Sequence, residues 1–409
     1  MTGDSGETPW AVLLEGPTAE AARRLVDRIA GPPRPAPRAV RPDLAAGGAG
    51  LALAHHQLDL CRPGEGRGAA AAGHLAAAVR GAERIRSRSP GLLGGLDGLA
   101  FAAGRLGLPA PLGADRQGLD AHVLHGQGPD RRSLDRPGLD RRGLDLSSGL
   151  TGHGAVLLDR CAEDPAAADR LVAVLTVLGR QVAAFPGGSP GMAHGPAGPL
   201  ALFSLARSAG VEAPGQAAAV HRAVDRLLAH RRDDAHGPDW VLVEGPGPEG
   251  RSSNPRPRDG AERPALPASW CHGGPGIARA LWLAGTALDD ASLRGLARET
   301  LLAALRRPPE VRRIDREPGL CHGLAGLLLI TLRFAHDTGD PEFRSAARGL
   351  AARLVEGLTG GPTDGLTYRD GGARPLGPGF LDGAAGVLLA LLAATTPVPP
   401  GWDRALLLS

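Results

Sequence analysis

Two kinds of helical segment alternate along the chain. One kind is apolar nearly all round, as buried helices are; examples read ALFSLARSAG, ARALWLAG, LLLITLRF and VLLALLAA. The other kind places Arg, Asp and Glu between apolar positions at helical spacing, which predicts amphipathic helices with one wet face. The clearest of these segments are Pro165–Ala184, Gly215–His230, Asp290–Arg306 and Pro341–Leu358. The alternation predicts buried helices covered by a layer of surface helices.

A glycine motif, G-x-x-G, precedes each apolar segment. The seven copies are Gly47–Gly50, Gly95–Gly98, Gly149–Gly152, Gly195–Gly198, Gly273–Gly276, Gly323–Gly326 and Gly383–Gly386. Successive copies lie 48, 54, 46, 78, 50 and 60 residues apart. This period predicts an all-α fold, an α/α toroid with an inner and an outer ring of helices and the glycine turns gathered at one end. We expect glycine there to permit positive φ and close helix approach, because it lacks a Cβ.

Two segments interrupt the repeat. The pentapeptide R-x-[G/S]-L-D recurs within residues 108–145, where no amphipathic helix is predicted. Residues 241–268 are rich in Gly and Pro and predict a long surface loop. The best strand candidate is Trp240–Gly245. We therefore predict a partly helical N-terminal segment over residues 1–44 and a single toroid domain over residues 45–409, with these two irregular segments.

Composition excludes several classes of function. The 46 basic and 43 acidic residues are interspersed, and only 3% of residues are aromatic. No dense basic run or stacking platform exists, so we expect no nucleic-acid partner. The N-terminus lacks the pattern of a signal peptide, and the most apolar stretch, Gly383–Thr396, is shorter than the about 20 residues of a membrane span. Four cysteines do not make a disulfide framework. We expect a cytoplasmic protein without a transmembrane segment.

The residues just before the glycine motifs carry the candidate chemistry. Cys271 and Cys321 occupy equivalent places in two repeats, and each is followed by a histidine, His272 or His322. If the motifs converge at one end of a toroid, both thiols and at least one imidazole meet there. Two thiolates and one imidazole, with a fourth position open, form the arrangement of a catalytic zinc site. Cysteines are also commonly buried for packing alone, but equivalent positions in two repeats favour a metal.

These motifs resemble those of a known family. The series DLSSGLTG, GMAHGPAG, SWCHGGPG, GLCHGLAG and GFLDGAAG, in this order, is similar to the motifs of the lanthionine synthetase C-like family, the cyclases of lanthipeptide biosynthesis. The resemblance runs from about residue 45 to the C-terminus, and the W-C-x-G-x-P-G and C-H-G-x-A-G elements are highly specific. It implies an α/α toroid of seven helical hairpins.

The resemblance also implies residue roles. It assigns one zinc ion to Cys271, Cys321 and His322, and the family's catalytic residues to Asp145 and His194. The implied reaction adds a peptide cysteine thiol to a dehydroalanine or dehydrobutyrine of a dehydrated precursor peptide, which closes a thioether ring. Zinc lowers the pKa of the thiol, and a histidine can supply the proton that Cα needs. We assign that proton to His194, with Asp145 either aiding thiol deprotonation or orienting His194.

The resemblance further implies which partners the protein has. Nothing in the 409 residues resembles a kinase, lyase or dehydratase domain. We therefore expect a stand-alone cyclase whose partners are the dehydrated precursor peptide, a separate dehydratase and an export complex.

Two positions depart from the family pattern. Many members have Tyr directly after the first zinc cysteine, where this chain has His272, and Arg four residues before that cysteine, where it has Pro267. His272 either replaces the tyrosine as a hydrogen-bond partner, which makes it a catalytic candidate, or competes as a ligand. In the last motif, Asp382 is predicted to cap the last inner helix, and His153 is predicted to pack or face solvent.

Two alternative functions stay open at this point. The altered positions favour a non-catalytic zinc protein of the same family that binds thiols or peptides. An unrelated α/α-toroid enzyme, such as a glycosidase with paired carboxylates, is disfavoured by the cysteine pair.

Overall fold

The computed structural model describes residues 10–32, 38–85, 91–109, 143–183, 185, 188–242, 266–361, 365–368 and 375–409. Within these ranges the helices are α1 (Gly16–Ala30), α2 (Gly48–Cys61), α3 (Arg67–Glu83), α4 (Leu96–Arg105), α5 (Leu150–Arg160), α6 (Pro165–Ala183), α7 (Ala197–Ser208), α8 (Gln216–Leu228), α9 (Gly274–Ala287), α10 (Ala291–Arg306), α11 (Pro309–Arg312), α12 (Leu324–Thr338), α13 (Pro341–Gly357) and α14 (Ala384–Thr395). A 3₁₀ turn covers Gly401–Leu406. The predicted amphipathic helices α6, α8, α10 and α13 end within two residues of their expected bounds.

Seven helices form a closed inner ring. Helices α2, α4, α5, α7, α9, α12 and α14 each begin within a glycine motif, each contacts the next, and α14 contacts α2. Most residues of these seven helices are buried. Helices α3, α6, α8, α10 and α13 pack outside this ring, and α1 packs on α13 and α14. The fold is therefore the predicted all-α, α/α toroid with two helix rings.

Backbone hydrogen bonds join the seven glycine turns into a circle. A residue just before each motif donates its amide to the equivalent carbonyl of the next turn. Around the circle, the amides and their acceptors are Ala45 to Leu93, Leu93 to Ser147, Leu146 to Ala193, Ala193 to Cys271, Cys271 to Cys321, Cys321 to Leu381 and Leu381 to Ala45. Because each turn is bonded to both neighbours, the side chains that the turns carry are held in fixed relative positions.

The second glycine of each motif is required by a close backbone contact. In every copy a Cβ at this position would overlap the carbonyl oxygen of the residue six positions earlier, as at Gly326 against Leu320. None of the motif glycines, all of which lie in the described ranges, has a positive φ. Of the two expected reasons for glycine, close approach is confirmed and positive φ is wrong.

The Gly326→Ala substitution should therefore destabilise the protein. The atoms that a methyl group would meet belong to the backbone of Leu320, so no side chain can turn away, and we expect a loss of about 1–3 kcal/mol in the free energy of unfolding. Gly349→Ala is the matched control, because Gly349 lies in the exposed middle of α13 with nothing within 4 Å of its would-be Cβ. It should stabilise the helix by about 0.5–1 kcal/mol. Urea unfolding measures both; equal effects would contradict the contact argument.

Two short antiparallel hairpins follow outer helices. Strands β1 (Arg231–Asp234) and β2 (Gly237–Trp240) pair after α8, and β3 (Leu358–Gly361) and β4 (Gly365–Tyr368) pair after α13. Of the strand predicted over Trp240–Gly245, Trp240 is the last residue of β2, the Val241 amide donates to the His230 carbonyl over 3.3 Å, and residues 243–245 lie outside the described residues.

Much of the two irregular segments predicted at 108–145 and 241–268 lies outside the described residues. No helix in the described ranges is long and apolar enough to cross a lipid bilayer.

The C-terminal segment lies against the turn that carries Cys271. The Trp270 indole Nε1 donates to the Leu406 carbonyl over 3.0 Å, and the Arg279 Nε donates to the Leu408 carbonyl over 2.8 Å. Trp270, Arg279 and both leucines are buried. These bonds anchor the Cys271 turn, and the helix that follows it, to the interior of the toroid.

Candidate metal centre and active site

One position of each glycine turn faces solvent. It is the residue directly before the first glycine, and in ring order these residues are Ala46, Gly94, Ser148, His194, His272, His322 and Asp382. All are exposed except His272, which is half-buried. Because the turns share one end of the toroid, these residues form a ring there. Five consecutive members are polar, and three of those are histidines.

The metal candidates meet on two neighbouring turns. Cys271, Cys321 and His322 each offer a ligand atom, and these atoms all lie within 4.8 Å of one another. The two cysteines are brought together because the Cys271 amide donates to the Cys321 carbonyl over 3.3 Å. This is the only group of three or more potential ligands of this kind in the part of the chain that the structure describes.

The two cysteine sulfurs differ in protonation. Their mutual hydrogen bond lowers the pKa of Cys271 to about 7, against the opposing effect of burial. The same bond, together with burial, raises the pKa of Cys321 well above its ordinary range. One thiol of the pair therefore ionises near neutral pH while the other retains its proton. A further contact comes from Ser269, whose Oγ lies 3.5 Å from the Cys271 sulfur.

The donor set suits zinc. Two sulfur atoms and one imidazole nitrogen are ligands that zinc prefers, and three protein ligands leave one coordination position for another molecule. Cys271 is buried, whereas His322 is exposed. A substrate therefore reaches the group from the side of His322, which belongs to the ring of exposed turn residues. His272 does not belong to the group.

A histidine and a carboxylate pair lie beside the cysteines. His194 Nδ1 and Asp145 Oδ2 are 2.6 Å apart. The other oxygen of Asp145 accepts the Ser148 amide over 2.7 Å, which fixes the carboxylate on its own turn. The side chain of His194 is 44% exposed and that of Asp145 only 16%. The imidazole is thus held from the protein side and open on the solvent side.

The pair is polarised toward a protonated imidazole. The hydrogen bond that His194 Nδ1 donates to the Asp145 carboxylate raises the pKa of His194, and burial opposes this effect only in part. Burial acts to raise the pKa of Asp145, but the bond and the charge of His194, with two hydrogen bonds from Ser148, outweigh it and lower that pKa. The charge of His194 also contributes to lowering the pKa of Cys271. The His194–Asp145 pair is therefore close enough to the two thiols to act on them electrostatically.

His272 lies between the pair and the metal candidates. Its ring centroid is 5.2 Å from that of His194, with an interplanar angle of 32°. Its Nδ1 is 2.8 Å from Ser189 Oγ. Burial lowers the pKa of His272, and the positive charges of His194 and His322 lower it further.

Asp382 and His153 both have side-chain partners. Gly383 is the N-cap of the last inner helix and no side chain caps it, so the predicted capping role of Asp382 is wrong, and Asp382 lies instead 3.5 Å from His322 Nδ1. The side chain of His153 is only 14% exposed, which agrees with the packing alternative, and its Nδ1 lies 3.2 Å from the buried carboxylate of Asp97.

The structure thus brings together the six residues that the sequence predicts for the catalytic and metal sites. Asp145, His194, His272, Cys271, Cys321 and His322 lie on consecutive turns of the ring. Sequence reasoning missed Ser189 and Ser269. Ser269 precedes Cys271 by only two residues, so the sequence could have indicated it as a local partner of that thiol. Ser189 contacts His272 across 83 positions of sequence, and no local signal indicates that contact.

Comparison with known proteins agrees with this architecture. A family model described as lanthionine synthetase C-like protein matches residues 38–407. The fold is similar to that of a solved structure named nisin cyclase, with a TM-score of 0.67, 18% sequence identity and coverage of 96% of both chains. A search of curated protein sequences gave no match.

Proposed function

Because the chain belongs to the lanthionine synthetase C-like family, we propose that it is a zinc-dependent cyclase that closes thioether rings in a dehydrated precursor peptide. One observation carries the proposal. Two thiols and an imidazole are gathered on neighbouring turns, within electrostatic reach of a carboxylate-held histidine. A ring closure of this type needs an activated sulfur and a proton donor, and the two groups supply one each.

Cys271, Cys321 and His322 would hold the zinc ion. Zinc bound there would lower the pKa of a substrate thiol and hold the sulfur as a nucleophile. With both cysteine ligands as thiolates the zinc site would be formally neutral, and a substrate thiolate would make it net anionic, which would keep the bound sulfur nucleophilic.

His194 supplies the proton that completes the addition. As sulfur bonds to the β-carbon of dehydroalanine or dehydrobutyrine, the electrons of the double bond move toward the carbonyl and leave the α-carbon in need of a proton. His194 is exposed on the ring, and the hydrogen bond to Asp145 raises its pKa and so favours its protonated form. The thiol releases its proton to solvent, and His194 gives one to the α-carbon and regains one from solvent, so the mass of the peptide does not change.

Asp145 acts through His194. Its Oδ2 lies at hydrogen-bond distance from Nδ1, and its Oδ1 accepts the hydrogen bond from Ser148. This geometry leaves the Nε2 atom of His194 for the substrate, and it favours the orienting role of Asp145 over a direct role in thiol deprotonation.

The substrate requires an earlier reaction. Dehydroalanine and dehydrobutyrine arise when water is lost from serine and threonine side chains, so a separate dehydratase must act on the peptide first. We propose a cytoplasmic location for this sequence of steps and an export complex as a later partner of the product.

A non-catalytic role is the second candidate. His272 stands where many family members have tyrosine, and Pro267 stands where many have arginine. In that case the same zinc site would bind thiols or peptides without forming a thioether bond.

A cyclisation assay separates the two functions. A dehydrated peptide with one cysteine is incubated with the protein, and free thiol and peptide mass are followed over time. The proposal expects thiol loss at unchanged mass, and treatment of the protein with a chelator should abolish it. Thiol loss no faster than in buffer, with zinc present in the protein, would establish the binding function instead.

A further inference from the structure

His272 is the one imidazole of the ring that is held by a hydroxyl group. Its neighbour His194 is held by the carboxylate of Asp145, and His322 lies next to the carboxylate of Asp382. The partner of His272 is Ser189, 2.8 Å from Nδ1. A hydroxyl partner and a carboxylate partner set different protonation states on an imidazole. The neighbouring rings of His194 and His272, which are tilted by 32° to each other, are therefore suited to different roles.

The other contact of Ser189 favours one direction for its hydrogen bond with His272. The Gly191 amide donates to Ser189 Oγ over 3.3 Å. The hydroxyl hydrogen has no other acceptor among the described residues than His272 Nδ1. When that hydrogen points at Nδ1, Nδ1 is an acceptor and carries no proton. The proton of the neutral imidazole then resides on Nε2, which has no protein partner in the described part of the chain.

This arrangement places a hydrogen-bond donor in the ring beside His194. We propose that His272 is a catalytic hydrogen-bond donor whose Nε2–H binds the carbonyl oxygen of the dehydrated residue, and that Ser189 is the positioning residue that fixes this tautomer. The inference rests on the proposed cyclase function and deepens it. It names the amide carbonyl of the acceptor residue as the group recognised.

His272 would act at the step in which negative charge develops on the carbonyl oxygen. As the sulfur adds to the β-carbon, the π electrons of the double bond shift and negative charge develops on the carbonyl oxygen. The Nε2–H of His272 stabilises that charge by a hydrogen bond and keeps its proton. His194 then gives its proton to the α-carbon, and the carbonyl returns. A neutral donor at the oxygen and a cationic acid at the carbon divide the work between two adjacent imidazoles.

Four substitutions test this division. His272→Leu removes the donor and should lower kcat by about 10²–10³-fold, whereas His272→Gln keeps an N–H near the Nε2 position and should retain more activity. Ser189→Ala should lower kcat by about 10-fold through loss of the tautomer preference, and Ser189→Thr should restore it. Ser204→Ala is the control, because the Ser204 hydroxyl donates to the Leu200 carbonyl within α7. All variants should bind zinc as wild type does.

Nitrogen-15 NMR of the histidine side chains gives a readout independent of activity. Wild-type protein should show the Nε2-protonated tautomer at His272, and Ser189→Ala should show a mixture. A His272 signal with the proton on Nδ1 in wild-type protein would overturn the inference. So would a Ser189→Ala enzyme with the kcat of the Ser204→Ala control. If the wild-type protein itself does not cyclise the peptide, the proposed function fails, whereas these two results refute only the role of His272 and Ser189.

Discussion

The Cys321→Ala protein is expected to lose its zinc and to cyclise a dehydrated peptide no faster than buffer does. The sulfur of Cys321 is hydrogen-bonded to the sulfur of Cys271. Both sulfurs belong to the only three-ligand group in the described ranges. Without it, one sulfur and one imidazole are left, fewer than the three or four protein ligands of zinc sites in proteins. Zinc content by mass spectrometry should fall from about one ion per chain to near zero.

A matched control and a second variant make this result interpretable. Cys161→Ala removes a free cysteine whose thiol donates to the Leu158 carbonyl over 3.1 Å, and it should keep both zinc and activity. His322→Ala removes an exposed ligand, so it should lose zinc without a packing cost. Full zinc content in both Cys321→Ala and His322→Ala would show that the ion is bound elsewhere.

The His194→Gln enzyme is expected to keep its zinc and lose about 10²–10⁴-fold in kcat, the usual contribution of a positioned acid. His194 is not among the metal candidates, and its side chain is open to solvent on the ring. Glutamine fills a similar space and cannot donate a full proton. Parallel loss of zinc and activity would contradict the separate roles of the two groups.

The pH dependence tests how Asp145 acts. A reaction that needs protonated His194 slows as pH rises through the pKa of that histidine, and Asp145 raises this pKa. In Asp145→Asn the hydrogen bond from Ser148 can persist, but the negative charge is gone. The pKa of His194 should fall, so the alkaline limb of the rate profile should move to lower pH. An unchanged limb with a uniformly lower rate would indicate that the carboxylate only orients the ring.

The glycine repeat explains why much of the fold was predictable. A Cβ at the second glycine of each motif would overlap a carbonyl only six residues away, so the constraint is local and appears directly in the sequence. Cys271 and Cys321 were identified for the same reason, since equivalent turns occupy equivalent places in a ring.

Contacts between distant parts of the chain were not predictable in this way. The N-terminal segment is tied to the last inner helix by the Trp10 indole, which donates to the Ala393 carbonyl across 383 positions of sequence. The Ser189 bond to His272 and the approach of Asp382 to His322 depend on which turns become neighbours in the closed ring. Asp382 looked like a helix cap because Asp commonly precedes helices, but here the glycine after it takes the capping position.

The most direct test is X-ray absorption at the zinc edge, on purified protein before and after addition of a dehydrated peptide that contains one cysteine. Cys271, Cys321 and His322 should give two sulfur neighbours at about 2.3 Å and one imidazole nitrogen at about 2.0–2.1 Å. The peptide should raise the sulfur count from two to three. Protein without zinc, zinc without sulfur neighbours, or a sulfur count that the peptide leaves unchanged would contradict the account.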